Sequence, residues 1–581
     1  MTSMSWEAPL GPLPVIPDDL TVVQFMLDHD HISRPAMNPD QTWLIEDATG
    51  RRITMGEIRT RTAGLANAFS SRWKISEDDV VCIYSPNHVD YATVIWATHR
   101  LGAIITAANP SYTADELEYQ ISATHAKLMV VHPWSYTVGL EAARKAGLAE
   151  DCIVLLDPLA GVSYPTVHEL IADGLATPSS FVERRLNPGE NRTKLAFLSF
   201  SSGTTGRPKA VCIPHSAPIA NVIQMSHTAN SETVPWEDQI WRTGDVALGA
   251  LPFYHIYGLV VVMHFHLFYG MSLVVIPKFN FVELLKSVQR HRINYMSIVP
   301  PMVVLLCKHP AVKDYDLTSI RAIMCGAAPL SAELTSLLAT VLPRSVISQG
   351  YGMTETCTTV TFPQLGQKVG TPGSAGRLLP GVVARVVRAD GTPVGYNEPG
   401  ELVVHSPSCA LRYLDNEEAT RETFRDGWVH TGDEVMINES KEMFVLDRIK
   451  ELLKVKGFQV APAELEGHLL NHPDVTDVCV IGIPDDYSGE LPMAFIVPSA
   501  PAAERMKQGG AAEVAKTKAA IMKHVADVKV QYKHLAGGVE FADVIPKNPS
   551  GKLLRRFMRD RAREMLKQGK LSIPKPARAK L

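Results

Sequence analysis

Leu198-Ser-Phe-Ser-Ser-Gly-Thr-Thr-Gly-Arg-Pro-Lys209 is the stretch on which the reading of this sequence turns. A β-rich run leads into small hydroxyl and glycine residues, and then a lysine. Glycines let backbone N–H groups approach phosphate oxygens, and hydroxyls add donors or metal contacts. The spacing is not that of a Walker A loop, which needs four residues between its glycines and a lysine directly after the second. Gly203 and Gly206 are only three apart, and Arg207-Pro208 intervenes before Lys209. A P-loop nucleotidase is excluded, and taken alone the stretch is a Ser/Thr/Gly turn.

Its surroundings set the fold class. Thr60 to Trp73 carries apolar residues at helical spacing, Val80–Tyr84 is a short buried strand, Asp90 to Arg100 is helical, and Leu128–Val131 is a strand again. The rhythm continues through Ile293–Val299 and Ala322–Met324. Such alternation predicts an α/β domain with largely parallel sheets. Between Arg377 and Val404 short strands joined by turns (Leu379-Pro-Gly381, Ala389-Asp-Gly-Thr392, Glu398-Pro-Gly400) predict a small antiparallel β region. Beyond the charged stretch Asp447-Arg-Ile-Lys-Glu451 a compact tail alternates helix (464–471), strand (475–481), strand (493–497) and helix (511–528). Pro498 to Gly510, rich in Ala, Pro and Gly, reads as an exposed loop.

The chain has 581 residues, too many for one ordinary domain, with 46% apolar and 20% charged residues. A large core is therefore possible. A net charge of −4 gives no electrostatic footprint for nucleic acid or an anionic membrane. The eight cysteines are scattered without a CxxC pair, as in a protein of a reducing compartment without a disulfide framework. The first residues lack the basic and apolar regions of a secretory signal. Gly258 to Pro277 has no formally charged residue, but His264 and His266 interrupt it and Gly270-Met-Ser272 divides it. It reads as a buried helix, a turn and a buried strand rather than a membrane span.

The loop keeps company in a fixed order. Leu251-Pro-Phe-Tyr-His-Ile-Tyr-Gly258, Gly350-Tyr-Gly-Met-Thr-Glu-Thr356, Gly427-Trp-Val-His-Thr-Gly-Asp433, the charged run from Asp447 to Glu466, and Pro546-Lys-Asn-Pro-Ser-Gly-Lys552 follow it. With Leu101–Pro110 and Cys325–Leu330, these motifs resemble the adenylate-forming superfamily of acyl-CoA synthetases, beetle luciferases and peptide-synthetase adenylation domains. The 4-coumarate:CoA ligase branch is the most similar, and the resemblance runs from about residue 40 to 560.

The resemblance implies a large N-terminal domain of α/β subdomains plus a small β region (1–447) and a small mobile α+β C-terminal domain (448–581). It implies an ATP- and Mg²⁺-dependent enzyme that joins a carboxylic acid to coenzyme A through an acyl-adenylate. Ser201, Ser202, Gly203, Thr204, Thr205, Gly206 and Lys209 would hold the β- and γ-phosphates, with Gly350, Tyr351 and Gly352 in the nucleotide site. Thr354 and Glu355 would lie near the α-phosphate, Glu355 and Thr204 being candidate Mg²⁺ ligands. Asp433 would accept from the ribose hydroxyls, Arg448 would reach the ribose, and Lys552 would contact the α-phosphate and carboxylate. His255 would line the acyl and thiol paths. Lys450 matches the hinge, and Lys454, Lys456, Gly457 and Gln459 match the face presented for thioester formation. Tyr257, Met302, Gly326, Gly350, Gly352, Met353 and Val360 would line an apolar acyl slot suited to an aryl or medium-chain acid.

Each residue has a plainer reading on its own: Asp433 as a turn or cap residue, Lys552 and Lys454 as solvated charges, Glu355 as an exposed acid, His255 as a satisfied, partly buried histidine. Other readings of the whole are a luciferase-like oxidase of an acyl-adenylate, an adenylation enzyme that loads a carrier protein, and a nucleotide-binding pseudoenzyme. No acid follows Leu251–His255 as it does in peptide-synthetase domains, which disfavours an α-amino acid substrate. The end Ala579-Lys-Leu581 resembles a peroxisomal address. It implies an import receptor as partner and the peroxisomal matrix, otherwise the cytoplasm, as location.

Overall fold

The structure, a computed structural model, describes residues 5–8, 12–201, 208–229, 235, 239–363, 368–456, 458–485, 488–548 and 551–571. The fold is α/β, with a large N-terminal and a small C-terminal domain. Among the described residues, two seven-stranded sheets make up most of the large domain. In the first, Ile153–Leu155, Ala126–Val131, Val80–Tyr84, Ile104–Ala108 and Leu195–Ser201 run parallel. Lys209–Pro214 and then Arg412–Tyr413 extend its edge antiparallel. Val80–Tyr84 is buried at every position because its alternate residues face two different cores: Val81 and Ile83 join one, Cys82 and Tyr84 the other. A strand buried on both faces loses the polar alternation of a half-exposed one, so it reads as an unbroken apolar run.

The second sheet runs Val346–Gln349, Ala322–Cys325, Tyr295–Ile298, Val246–Gly249, Ser272–Val275 and Thr42–Glu46, all parallel, with Arg52–Thr54 antiparallel at its edge. Between two of its strands, the uncharged stretch forms a helix, a turn at Gly270 (φ +76°) and a buried strand, as its sequence predicts. The first part, Tyr257–Phe265, is a π-helix. His264 and His266 are buried within this segment, and burial pushes them down to about 4 and about 3, so both are neutral. The Trp96 indole N–H donates to His264 Nε2 at 3.3 Å. No helix among the described residues is long and apolar enough to cross a membrane.

The antiparallel region pairs Val383–Val387 with Gly400–His405, then Trp428–Ile437, then Met443–Arg448. Trp428–Ile437 alternates buried and part-exposed residues along its whole length, the pattern of a strand with one face on a core. The helix predicted from Thr60 begins earlier, at Met55, where the Thr54 hydroxyl accepts from Glu57 N and caps it.

The small domain is built on a sheet of Phe458–Val460, Leu453–Val455, Gly489–Pro498, Val475–Asp485 and Gly538–Phe541, with the helices Pro462–Leu469 and Arg555–Lys567. Here one expectation is overturned. Pro498 to Gly510 is not a loop: Ala500 starts a helix that runs to Ala526, with a break at Gly510 (φ 58°, ψ −150°). Pro501 falls in the first turn, where the missing N–H has no intrahelical partner to lose, and the rest is Ala, Glu, Arg, Met, Lys and Gln, all helix formers. The Pro and Gly that suggested a loop mark a helix start and a kink.

Three contacts seat the small domain on the large one. Lys308 Nζ donates to the carbonyls of Leu470 (2.7 Å) and Val475 (2.9 Å). The Asp447 carboxylate accepts from Ala463 N at 3.0 Å. Gly551 approaches Val299 so closely that a Cβ there would lie 2.9 Å from its Cγ2.

Candidate active site

Leu195–Ser201 and Lys209–Pro214 are antiparallel neighbours, with Ser201 opposite Lys209. The glycine-rich stretch therefore joins the two arms of a hairpin, and Lys209 opens the returning strand. Ser202, Gly203, Thr204, Thr205 and Gly206 lie outside the described residues, as does Gly457. The same holds for Ala579, Lys580 and Leu581.

Beyond this hairpin, Tyr351–Met353 and Thr358–Phe362 form a second one, closed by a turn over Thr354–Thr356. Its glycine is obligatory: a Cβ on Gly352 would lie 1.5 Å from the Thr358 carbonyl oxygen. The turn delivers Glu355, a 5% exposed carboxylate, to the end of the first hairpin. Ser201 Oγ donates to Glu355 Oε1 at 3.0 Å, and the Tyr413 hydroxyl donates to the same oxygen at 2.7 Å. Glu355 Oε2 has no hydrogen-bond donor among the described residues.

Asp433 and Arg448 face each other across adjacent strands. Asp433 is no turn residue but sits mid-strand, 5% exposed, with Arg448 Nε 3.4 Å from Oδ1 and the Tyr351 hydroxyl donating to Oδ2 at 2.6 Å. Burial raises the Asp433 carboxyl above its usual range, while Arg448 and the Tyr351 hydroxyl oppose that shift. A carboxylate backed by a guanidinium keeps lone pairs with which it can accept from neighbouring hydroxyls.

Lys552 enters from the small domain, where Lys552 N donates to Asn548 Oδ1 and Asn548 N to the Lys552 carbonyl. Burial, followed by the neighbouring Arg448 guanidinium, pushes Lys552 down to about 8. His255 is pushed down to about 4 by burial and then by the Lys552 ammonium. Its Nδ1 accepts from Tyr257 N at 3.3 Å, so the neutral ring carries its proton on Nε2.

Except for Asp433, whose partners Arg448 and Tyr351 do, these groups line one cavity of about 960 Å³. Its walls include Ser201, Lys209, His255, Tyr257, Gly326, Gly350, Tyr351, Gly352, Met353, Thr354, Glu355, Arg448, Lys450 and Lys552. The Tyr257 ring lies against Gly326, where a Cβ would sit 3.0 Å from it, so the glycine leaves that wall flat. Ile256, Val261, Met324 and Ala327 complete the apolar end. Of the residues expected in the acyl slot, Met302 and Val360 do not line the cavity; both are buried in the large core. Lys454 and Gln459 are cross-strand partners on an exposed hairpin, and with Lys456 they stay away from the cavity. Lys454 therefore lies exposed on the strand Leu453–Val455.

The donor set around Glu355 suits Mg²⁺. The ion takes oxygen ligands, keeps several waters, and is commonly held by one or two carboxylates together with substrate phosphates. One carboxylate with an uncommitted oxygen, beside the Ser201 and Thr354 hydroxyls and open to the cavity, fits that requirement.

Tyr413, Asn87 and Glu401 escaped the sequence reading. Asn87 donates to the carbonyls of Gly249 and Leu251 and accepts from Phe253 N, so it fixes the segment that carries His255. Glu401 accepts from Gly432 N at 3.1 Å and sets the peptide ahead of Asp433. Asn87 and Glu401 work through a backbone, and Tyr413 through the Glu355 side chain, all far away in sequence, and no local pattern signals that.

The family described as AMP-binding enzyme matches residues 33–414, and the AMP-binding enzyme C-terminal domain matches residues 464–552. The 4-coumarate--CoA ligase 5 of Oryza sativa subsp. japonica is 35% identical over 552 residues, covering 93% of this chain and 95% of the rice protein. The probable 4-coumarate--CoA ligase 1 of Dictyostelium discoideum is 32% identical over 533 residues, covering 90% and 92% of the two chains. ATP-bound MatB from Rhodopseudomonas palustris superposes with a TM-score of 0.78 at 25% identity, covering 94% of this chain and 99% of that one. The anthranilate CoA ligase AuaEII in complex with anthranoyl-AMP shares the fold, with a TM-score of 0.80 at 23% identity over 95% and 99% of the two chains.

Proposed function

The chain belongs to the AMP-binding enzyme family, and we propose that within it this protein is an ATP-dependent carboxylate:CoA ligase. One observation carries this reading: Glu355, Arg448 and Lys552 line one cavity together with the flat apolar slot of Tyr257, Gly326 and Met324, and Asp433 is bonded to two residues of that wall, Arg448 and Tyr351. A phosphorylated nucleoside fits the charged wall and a neutral acyl tail the slot.

In the first half-reaction a carboxylate oxygen bonds to the α-phosphorus of ATP, and the bond to the bridging oxygen breaks to release pyrophosphate. Two anions must approach one another, so positioning and charge neutralisation are what the site has to supply. Lys552 and Lys209 provide cations on either side. Asp433 holds the ribose hydroxyls, its orientation fixed by Tyr351 and Arg448. Glu355, with Thr354 and Thr204, would hold Mg²⁺, which neutralises phosphate charge when bound.

In the second half-reaction the coenzyme A thiolate adds to the acyl carbon and AMP leaves with the bonding electrons, giving the thioester. We assign the large domain to 1–447 and the small domain to 448–581, with Lys450 at the hinge. Turning the small domain there would withdraw Lys552 and bring in Lys454, Lys456, Gly457 and Gln459. One cavity then excludes water from the adenylate first and admits the thiol later. The slot walls of Ile256, Tyr257, Val261, Met324, Gly326 and Ala327 carry no charge and His255 beside them is neutral, which supports an aryl or medium-chain monocarboxylic acid.

The test is AMP and pyrophosphate release over a panel of aryl and medium-chain acids, with and without coenzyme A. Acid-dependent pyrophosphate together with coenzyme A-dependent thioester is the expected result. AMP formation with a carrier-protein phosphopantetheine but not with coenzyme A, or O₂ uptake from a supplied adenylate, would replace this reading with one of its rivals. No acid-dependent pyrophosphate from any acid would end it.

A further inference from the structure

Tyr413 lies outside the motifs that signal the site, yet it touches two of their charged residues. It sits on Arg412–Tyr413, which extends the sheet beside Lys209–Pro214, with Tyr413 opposite Val211. That pairing, continued by Leu414 N donating to the Ala210 carbonyl at 2.8 Å, fixes its backbone to the strand that begins with Lys209. Its ring packs edge-on to Phe424 at 5.6 Å, and Tyr413 N donates to Thr420 Oγ1 at 3.1 Å. The side chain is 6% exposed. From this fixed position the ring lies 5.1 Å below Lys209 Nζ, and the hydroxyl donates to Glu355 Oε1 at 2.7 Å.

Glu355 is held asymmetrically. Both hydroxyl donors, Ser201 and Tyr413, bond to Oε1, while Oε2 has no donor among the described residues. A buried carboxylate keeps its charge only where its lone pairs are satisfied. Two donors on one oxygen satisfy that side, set the plane of the group and leave the other oxygen for a cation. The same aromatic ring offers its face to the Lys209 ammonium, which holds the lysine off the carboxylate it would otherwise pair with.

We infer that Tyr413 is a positioning residue for the metal-bearing carboxylate: it turns Glu355 so that Oε2 is free for a divalent cation on the nucleotide phosphates, and it keeps Lys209 from neutralising that carboxylate. This rests on the ATP-dependent ligase reading. The test is Tyr413→Phe, which removes the hydroxyl and leaves the ring and its packing. ATP binding is measured by calorimetry in EDTA and again in Mg²⁺, and Mn²⁺ binding in the presence of ATP by electron paramagnetic resonance. ATP binding in EDTA should match the wild type. The Mg²⁺-dependent gain in affinity and the Mn²⁺ affinity should fall by about tenfold to a hundredfold, the worth of one hydrogen bond to a charged group. Pyrophosphate exchange at limiting Mg²⁺ should be slow and recover as Mg²⁺ is raised. Equal Mg²⁺ and Mn²⁺ affinities in the variant and the wild type, with exchange lowered uniformly, would overturn the assignment, as would equal loss of ATP binding with and without metal. A wild type that shows no Mg²⁺-dependent ATP binding at all would take the ligase reading down as well.

Discussion

Lys552 and Lys454 are both lysines of the small domain, both drawn to the site by sequence, and the structure treats them in opposite ways. Lys552 reaches the cavity, where burial and Arg448 push it down to about 8. Lys454 stands exposed on a two-stranded edge away from it. A motif identifies a residue that some state of the protein uses; burial and charged neighbours tell which residue the present state uses. Under the proposed function, the arrangement seen here is the one for the adenylation step.

The contrast breaks most readily at Lys552. Lys552→Ala should lower acid-dependent pyrophosphate exchange by roughly a hundredfold or more, the usual effect of deleting a group that stabilises developing charge. Conversion of a supplied acyl-adenylate to thioester should survive. Equal loss of both steps would refute the division between the two lysines.

Asp433→Ala removes the group that Tyr351 and Arg448 hold in place. It should weaken ATP by roughly tenfold to a hundredfold, visible as a raised KM for ATP, and leave the acid's KM unchanged. An unchanged KM for ATP would separate Asp433 from the nucleotide.

A pH profile sharpens the contrast without mutation. In the proposed adenylation step Lys552 serves as a cation, and its free-enzyme value of about 8 lies below the usual lysine range, so the charged form is lost as pH rises through 8. The kcat/KM for ATP should fall above that pH, by about tenfold per unit well past it. Lys552→Arg, which keeps its charge, should move the falling limb upward, whereas Lys454→Ala should leave it in place. A limb unmoved by Lys552→Arg would assign the titration to another group.

The smallest effect is expected from Lys454→Ala. Pyrophosphate exchange should stay within about twofold of the wild type, since surface charges contribute little. Thioester formation from supplied adenylate should drop by several-fold or more. Normal thioester formation in this variant would remove Lys454 from the second step.

How legible all this was in the sequence differs from element to element. Val80–Tyr84 and the helix–turn–strand of 257–275 were readable because burial on both faces leaves an unbroken apolar run. The helix from Ala500 was not, since Pro501 and Gly510 look the same in a loop as in a first turn and a kink. Glu355, Asp433, Arg448 and Lys552 could be singled out because they sit in ordered motifs, and the structure places them near one another. Tyr413 and Asn87 act from isolated positions across 58 residues to Glu355 and more than 160 to Gly249 and Leu251, and periodicity carries no trace of such pairings. Met302 and Val360 were misplaced for a related reason: a buried apolar residue reads alike whether it faces a substrate or a neighbouring helix.

If the small domain turns as proposed, the seat made by Lys308 sets a clock on the enzyme. Lys308 is solvent-exposed, so releasing its two bonds to the carbonyls of Leu470 and Val475 costs about 1–3 kcal/mol. Without new contacts to offset that loss, the turned arrangement would be populated in roughly one molecule in six to one in a hundred and fifty. Turnover would then wait on a rare excursion, and pyrophosphate departure or thiol arrival must supply the bias that makes the excursion frequent.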